Sequence, residues 1–428
     1  MLTLPVIQND TAKVVERLIH KRFHQAETVV QTILSLNEER KKHITELENL
    51  RAEMNRIAKS VGAEMAKGNQ EAAEEAKKQT QVLKQNIADL EVTVREVENQ
   101  LQDQLVLLPN LPHDSVPAGK IAEDNAIIQQ VAQAPATIAK EKLQPHWELT
   151  KKLNIIDFET GSKVTGAGFP FYKNKGAKLQ RALISFFLDE ATRAGYTEYI
   201  PPLVVNADSA FGTGQLPDKE GQMYFITEDQ LYLIPTAEVP LTNIYRDEIL
   251  EEEQLPLKLC GYTPCFRREA GSYGKDVRGL NRLHQFDKVE IVQIVHPDVS
   301  YNVLEEMLAH VQGLLTKLGL YYRTALLCGG DMGFASAKTY DMEVFSAAQE
   351  RWLEVSSVSN FESYQANRLK LRYKDKVAKK TNLCHTLNGS ALALPRIVAC
   401  LIEQYQTEEG TILIPDALVP YTGFLVIE

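Results

Sequence analysis

The stretch TPCFRREAGSYGKDVRGLNRLHQFDKVEIV, from Thr263 to Val292, has strand-like apolar ends and a basic, glycine-dotted middle. Six arginines or lysines fall between Arg267 and Lys288, and Glu269 stands directly behind the first arginine pair. Guanidinium groups stay charged and bind anionic oxygens in a bidentate manner, so a strand–loop–strand of this kind can hold a polyphosphate. A solvated hairpin with surface ion pairs explains the same residues equally well, and the hairpin alone does not decide between them.

Composition places the chain among ordinary globular proteins. Its 428 residues are 44% hydrophobic and 24% charged, which suits two or three domains with a large core. The formal net charge of −10 argues against a uniformly basic surface but allows a local one. No apolar run has the length of a membrane span and the N-terminus lacks the basic-then-apolar pattern of a signal peptide, so we expect a cytoplasmic protein. Five cysteines without CxxC spacing predict reduced thiols and no zinc site.

A long amphipathic segment near the N-terminus, from about Ala26 to Leu108, predicts two helices with a coiled-coil seam. The apolar residues that repeat at intervals of three and four are Leu47, Leu50, Met54, Ile57 and Val61, then Leu83, Ile87, Leu90, Val94, Val97 and Leu101. Gly62 and Gly68 between the seams permit a reversal, which predicts an antiparallel arm roughly 50–60 Å long. On periodicity alone, the arm serves either dimerisation or contact with a large partner, and its interleaved charges do not indicate nucleic acid.

The proline-rich segment LPNLPHDSVPAG (Leu108–Gly119) follows the second helix and predicts a domain boundary. We therefore divide the chain into 1–108 and 109–428. Beyond the boundary, strand-like segments are joined mainly by hairpins, which predicts an α+β domain whose antiparallel sheet is flanked by helices. Neither a Rossmann fingerprint nor a P-loop is present, so neither of those nucleotide sites is expected.

Three further clusters favour a nucleotide site. PTAEVP sets Thr236 and Glu238 two residues apart near a strand end, where they suit an ammonium ligand. LEVSS supplies Glu354 and Ser357, whose hard oxygens could hold Mg²⁺ bridging phosphates. TLNGSALALPR is expected to start a helix after its glycine and carries Arg396 into an apolar stretch, where a phosphate would serve as its anionic partner.

Taken in order, these segments resemble the class II aminoacyl-tRNA synthetases, and specifically the bacterial-type seryl-tRNA synthetases. The first class II motif is resembled by GYTEYIPPLVV, in which Pro202 is the motif proline. The second is resembled by FRREAGSYGKDVRGLNRLHQF. The third is resembled by NGSALALPR, in which Arg396 is the motif arginine. GTGQLP, PTAEVPLTN and an arm of this length are typical of the seryl enzymes. The chain departs from the motifs at Arg268, where serine is common, and at Ala391 and Pro395, where glycine is common. These departures remove no charged residue that the motifs use to bind a ligand, so they concern only the detailed geometry of the site.

The resemblance implies a two-step reaction. The carboxylate of serine attacks the α-phosphate of ATP to give seryl-adenylate and pyrophosphate, and the 3′-terminal ribose hydroxyl of serine tRNA then takes the seryl group. It also implies a homodimer through the GYTEYIPPLVV region and an arm that binds tRNA. Candidate tRNA contacts near the tip are Arg51, Arg56, Lys59 and Lys67. The alternative is a class II relative that activates another small amino acid for a carrier protein, but such a protein would lack the long arm.

The resemblance also assigns site residues. Catalytic roles fall to Arg267, Glu269 and Arg396. Serine would be bound by Thr236, Ala237, Glu238, Arg267, Glu290 and Ser390. ATP would be bound by Arg267, Arg268, Glu269, Leu283, Phe286, Glu354, Val355, Ser356, Ser357 and Arg396, with Mg²⁺ held by Glu354 and Ser357. We expect Glu290 to recognise the hydroxyl of serine, and the simpler alternative is that it is an outward-facing carboxylate on a strand.

Overall fold

The structure is a computed structural model, and it describes residues 1–131, 138–218, 220–269 and 278–428. The chain divides into two compact units, Met1–Pro109 and Asn110–Glu428. That the two units have separate functions stays a prediction. Over the described residues, no helix combines the length and the apolar character that crossing a bilayer requires.

The first unit is helical. Its helices are α1 (Leu4–Asn9), α2 (Thr11–His20), α3 (Ala26–Ala66) and α4 (Gln70–Leu107). Helices α3 and α4 pair along their length, and every residue of the predicted seam is buried or half-buried between them. Arg40 forms an ion pair with Glu98 while Arg51 pairs with Glu91, so the two helices run in opposite directions. The predicted antiparallel helical arm is therefore confirmed.

The chain reverses between α3 and α4 over residues 67–69, and of the two predicted glycines Gly68 lies in this turn. Gly68 has a φ of 79°, a backbone conformation that glycine adopts without steric cost. Asn69 then caps α4, because its side chain accepts a hydrogen bond of 3.3 Å from the N–H of Ala72. The prediction that Gly62 also takes part is wrong, since Gly62 lies inside α3. Strong helix formers surround it, and they outweigh the cost of one glycine, about 1 kcal/mol.

The second unit is of mixed type. Its helices are α5 (His146–Lys152), α6 (Phe158–Val164), α7 (Asn174–Arg193), α8 (Ala207–Thr213), α9 (Glu238–Asn243), α10 (Ser300–Lys317), α11 (Ser363–Leu369), α12 (Leu394–Gln404) and α13 (Val419–Thr422). Its strands are β1 (Ala126–Gln130), β2 (Ile156–Asp157), β3 (Phe171–Tyr172), β4 (Thr197–Tyr199), β5 (Val204–Val205), β6 (Phe225–Ile226), β7 (Leu231–Leu233), β8 (Ile249–Glu251), β9 (Leu257–Phe266), β10 (Gln285–Val295), β11 (Tyr322–Leu326), β12 (Lys338–Ser346), β13 (Arg351–Asn360), β14 (Arg372–Asp375), β15 (Lys380–Leu383), β16 (His385–Ala393), β17 (Ile412–Leu413) and β18 (Val426–Ile427).

An eight-stranded sheet organises this unit, in the order β1-β11-β12-β13-β16-β10-β9-β4. Its neighbouring strands are antiparallel, except that the edge strand β4 runs parallel to β9. The basic stretch lies between β9 and β10, which pair from Phe266 opposite Gln285 inward. The predicted strand–loop–strand is thus present, although residues 270–277 of its loop lie outside the described residues. The antiparallel sheet flanked by helices is confirmed.

The two faces of β10 have different surroundings. Val289 and Ile291 belong to a large apolar core that also contains Phe187 of α7, Met307 of α10 and Leu401 of α12. Successive side chains on a strand alternate in direction, so Lys288 and Glu290 point away from those helices. All four residues of 288–291 are buried. The polar pair therefore lies on a covered face of the sheet, and this face bears the candidate site.

The sequence predicts a helix directly after Gly389, and this prediction is wrong. Strand β16 continues to Ala393, held between β13 and β10, and α12 begins only at Leu394 with Pro395 in its first turn. Proline suits a first turn because its fixed φ is helical and its missing N–H has no helical acceptor there. Ser390 therefore stands on a strand opposite Glu290, and Arg396 lies in the first turn of the helix.

The cysteines fit the prediction of reduced thiols. All five are free, buried and located in the second unit. Burial raises the pKa of Cys260 and of Cys384 to about 12, with the charge of Glu198 adding to the effect at Cys260. These side chains therefore act as small apolar core residues, not as nucleophiles.

Candidate active site

A cavity of about 750 Å³ opens on the face of the sheet that carries Lys288 and Glu290. The predicted site residues that line it are Thr236, Glu238, Arg267, Glu269, Leu283, Phe286, Glu290, Glu354, Val355, Ser356, Ser357, Ser390 and Arg396. Two predicted residues do not line it. Ala237 is fully buried in an apolar cluster with Leu241, and Arg268 is exposed, with its backbone N–H donating to the carbonyl of Gln222.

Arg267 and Glu269 stand where β9 leaves the sheet. The backbone N–H of Arg267 donates to the carbonyl of His284 at 2.9 Å, and its guanidinium lies over the ring of Phe286, 5.2 Å from the ring centroid. Glu269 has a φ of 49°, unusual for a residue with a side chain, and its carboxylate accepts from Arg282 at 2.8 Å. The pair Arg282–Glu269 is a contact that the sequence analysis did not foresee.

Arg396 reaches the cavity from α12 and is held by two backbone carbonyls. Its Nε donates to the carbonyl of Asn281 at 3.1 Å, and its Nη1 donates to the carbonyl of Glu354 at 2.7 Å. The carboxylate of Glu354 lies 3.5 Å from the same Nη1. Fixed in this way, Arg396 lines the cavity with a permanent positive charge suited to an anion.

Oxygen ligands for a metal lie on β12 and β13. The hydroxyl of Ser357 donates to Asp341 at 2.6 Å, and its Oγ lies 3.4 Å from Glu354 Oε1. Burial, followed by the charge of Glu354, raises the pKa of Asp341 well above its ordinary value. Among the described residues, no group of three or more His, Cys, Asp or Glu side chains is arranged as a metal site. The oxygens of Glu354 and Ser357 fit Mg²⁺, which keeps most of its ligands as water and phosphate oxygens.

The innermost end of the cavity contains two buried carboxylates. Glu290 is 1% exposed, accepts from Thr236 Oγ1 at 3.3 Å and lies 2.6 Å from Lys288 Nζ. The alternative reading of Glu290 as an outward-facing strand carboxylate is therefore wrong. Glu238 begins α9 and accepts from Gln365 at 2.7 Å. Burial raises the pKa of Glu238 to about 7, and the charge of Glu290 acts in the same direction.

The structure thus brings together predicted residues that lie far apart in the chain, although their individual roles stay predictions. Sequence reasoning assigned no role to Lys288, Arg282, Asn281 or Asp341. For Lys288 a signal was available, because it stands two residues before Glu290 on a strand and must share its face. For Asp341 the signal is the pairing of β12 with β13, which sets it opposite Ser357.

Sequence comparisons find two family models in the chain. Residues 224–405, which contain most of the cavity lining, match the class II core domain of tRNA synthetases for glycine, histidine, proline, serine and threonine. Residues 1–112 match the N-terminal domain of seryl-tRNA synthetase. Together with the antiparallel sheet and its arginine-lined cavity, these matches define a class II aminoacyl-tRNA synthetase.

Whole-chain relatives narrow the class to one family. The chain is 51% identical over 424 residues to the serine–tRNA ligase of Salinibacter ruber, covering 99% of this chain and 98% of the relative. It is 47% identical to that of Methylacidiphilum infernorum, covering 98% and 99%. A solved seryl-tRNA synthetase from Pyrococcus horikoshii, complexed with ATP, superposes with a TM-score of 0.93 at 34% identity, covering 100% and 99%. The chain belongs to the seryl-tRNA synthetase family.

Proposed function

We propose that this chain activates L-serine with ATP and transfers the seryl group to the 3′-terminal adenosine of serine tRNA. The observation that carries the proposal is one cavity in which two fixed arginines lie beside a buried pocket of hydroxyl and carboxylate groups. Such a reaction needs positioning and charge neutralisation more than a covalent nucleophile. Because its product serves translation, we place the activity in the cytoplasm.

ATP would occupy the part of the cavity between Arg267 and Arg396. Arg267 suits the α-phosphate and the carboxylate of serine, because it stands at the strand end between the two halves of the cavity. Phe286 would stack on the adenine, Glu269 would accept its amino group, and Leu283 would contribute its backbone. Glu354 and Ser357 would hold Mg²⁺, which neutralises charge on the phosphates when it is bound.

Serine would occupy the inner pocket. Its ammonium group would lie against Glu238 and Thr236, and its hydroxyl would donate to Glu290 beside Ser390. A buried acceptor position on the Glu290 carboxylate that is left unfilled is costly, so alanine should be rejected strongly, and the crowded pocket should exclude the extra methyl of threonine. The burial of Glu290 and Glu238, 1% and 6% exposed, supports this assignment.

The helical arm of α3 and α4 would bind tRNA by phosphate contacts. Of the candidate contacts, Arg51, Arg56 and Lys67 each lie within 4 Å of a carboxylate on the arm. All three are exposed, and exposed ion pairs contribute little stability. Phosphates can therefore displace those carboxylates at small cost. Lys59 is also exposed.

A homodimer would form through the edge of the sheet at β4. The residues between β4 and β5 leave apolar surface uncovered, with Ile200 94% exposed and Leu203 38% exposed. An apolar sheet edge is commonly covered by a partner. Light scattering at micromolar concentration should give the mass of two chains, and a fully active monomer would contradict this part of the proposal.

The deciding experiment is pyrophosphate exchange with each amino acid in turn, with Mg²⁺ and without tRNA. We expect exchange with serine and little with alanine or threonine. Exchange driven by another small amino acid, with transfer to a carrier protein and none to tRNA, would favour the alternative function. Omission of Mg²⁺ should abolish exchange, and its restoration by Mg²⁺ but not Zn²⁺ would support the assigned metal.

A further inference from the structure

A buried histidine and glutamate pair lies behind the cavity wall, and no part of the proposed reaction uses it. His146, the first residue of α5, and Glu403, near the end of α12, are both completely buried. His146 Nδ1 lies 2.8 Å from Glu403 Oε1, and the backbone N–H of His146 donates to the same oxygen at 3.1 Å. Glu403 also accepts from the hydroxyl of Ser346 and from the N–H of Ala348.

The other nitrogen of His146 contacts the cavity wall. The backbone N–H of Leu280 donates to His146 Nε2 at 2.9 Å, which fixes the tautomer with its proton on Nδ1. Gly279 has a φ of 66°, and a Cβ there would lie only 2.2 Å from Nε2, so the chain passes as close to the ring as glycine allows. Arg278 lies over the ring of Trp147, 4.6 Å from its centroid.

The backbone carbonyl of Asn281, the residue after Leu280, holds the arginine of the cavity. The carbonyl of Asn281 accepts from Arg396 Nε at 3.1 Å, and both Leu280 and Asn281 line the cavity. Arg396 and Glu403 are seven residues apart on α12, and residues at this spacing lie on one face of a helix. Helix α12 therefore holds the segment 278–283 at two points, directly through Arg396 and indirectly through Glu403 and His146.

The carboxylate of Glu403 is suited to this task. Burial acts to raise its pKa, but the hydrogen bonds and the electrostatic interaction with His146, together with the hydrogen bond from Ser346, outweigh burial, so the pKa of Glu403 lies below its ordinary value. An ionised acceptor keeps the Nδ1 proton of His146 in place. The Nε2 lone pair then stays available for Leu280.

We propose that His146 is a positioning residue for the ATP site. Its ring fixes the segment 278–283 to α12, and this keeps the carbonyl of Asn281 in place to accept the hydrogen bond from Arg396. The inference rests on the proposed role of Arg396 in binding ATP. It predicts a defect confined to the nucleotide, because the pocket of Glu238 and Glu290 is built from β10, α9 and β16 and does not include this segment.

The test uses the full chain with three substitutions and a matched control. His146→Ala removes both ring hydrogen bonds. His146→Gln places an amide oxygen near the position of Nε2, where it can accept from Leu280. His146→Asn places its amide nitrogen near the position of Nδ1, where this group can donate to Glu403 but cannot reach Leu280. The control is His385→Ala, since His385 is half-buried, bonds to Ser300 Oγ at 2.9 Å and does not line the cavity.

ATP binding is measured by equilibrium dialysis with Mg²⁺ and no serine, and KM values by serine-dependent exchange. We expect His146→Ala to weaken ATP binding about tenfold, as for the loss of a buried hydrogen bond, with the KM for serine within about twofold. His146→Gln should recover more ATP affinity than His146→Asn, and His385→Ala should lower the melting temperature without changing ATP affinity.

The positioning role is overturned if His146→Ala loses stability like the control while it binds ATP normally, or if Asn restores ATP binding as well as Gln. Should His146→Ala fail to fold, the Gln and Asn variants still decide the matter. An unmodified chain that binds ATP but exchanges nothing with serine would refute the proposed function alone, since the dialysis comparison does not require serine.

Discussion

Lys288 Nζ lies 2.6 Å from Glu290 Oε2, although both side chains are almost wholly buried on one face of the same strand. The ammonium group therefore sits at the inner end of a pocket that also contains Glu238. Two carboxylates buried together repel one another, and the positive charges of Lys288 and Arg267 oppose that effect at Glu238. This pair links the stability of the sheet to the proposed recognition of serine.

Replacing Lys288 with methionine should be costly for that reason. The variant keeps the aliphatic stem but leaves Glu290 buried without its ion-pair partner, which typically costs about 3–5 kcal/mol of unfolding free energy. The double variant Lys288→Met with Glu290→Gln should regain most of that loss, as urea unfolding would show. The double variant should still exchange poorly with serine, and an additive loss of stability in it would contradict the coupling.

Serine binding should depend on pH through Glu238, whose pKa is raised to about 7. The carboxyl is neutral below pH 7 and charged above it, so the KM for serine should fall as the pH rises from 6 to 8. Glu238→Gln should raise the KM and flatten its pH profile. A steep profile that persists in Glu238→Gln would assign the titration to another group.

The raised pKa of Glu238 should lower the stability of the fold as the pH rises, whereas it should improve serine binding over a similar range. The folded chain retains the proton of Glu238 at a pH where the unfolded chain, with a carboxyl pKa near 4.3, has lost it. The contribution of Glu238 to the free energy of unfolding should be full below about pH 4 and decline up to about pH 7. Urea unfolding of the unmodified chain and of Glu238→Gln at each pH gives that contribution by difference, and a contribution that rises over this range would refute the shift.

Arg396→Lys tests the geometry of the nucleotide site. Lysine keeps the charge but cannot reproduce the two hydrogen bonds to the carbonyls of Asn281 and Glu354. We expect kcat/KM for ATP in pyrophosphate exchange to fall about a hundredfold or more, with little change in serine KM. Arg372→Lys, a peripheral arginine whose Nε donates to the carbonyl of Lys370, is the matched control and should behave like the unmodified chain.

Shortening the arm separates the two proposed steps. Replacing 31–100 with a short Gly/Ser loop removes most of α3 and α4 but leaves the residues that line the cavity in place. Serine-dependent exchange should survive, while the charging of tRNA should fall steeply through loss of apparent tRNA affinity. The intact chain should lose tRNA affinity as salt rises. Normal charging by the shortened chain would reduce the arm to a spacer, and loss of exchange in a folded product would refute the division at 108/109.

The local sequence pattern predicted the structure correctly where one physical effect dominates. The seam from Leu47 to Leu101 predicted the helical arm because a sustained apolar repeat has few other solutions. Motifs resembling a known family indicated thirteen of the residues that line the cavity, including Arg267 and Arg396. Pattern failed at Gly62, where neighbouring helix formers outweigh one glycine, and at Gly389, where pairing in the sheet overrides a local break. The contact of Asn281 with Arg396 joins residues far apart in the chain, so it arises from folding and could not be predicted from local sequence.

The five buried thiols provide a natural probe of opening. A thiol reagent in solution cannot reach Cys260, Cys265, Cys328, Cys384 or Cys400 while the second unit is closed. The first unit contains no cysteine, so labelling does not report on fraying of the arm. The rate at which the chain gains label, followed by mass spectrometry, therefore measures how often the second unit exposes its interior, and ATP or serine that stabilises the closed form should slow that rate.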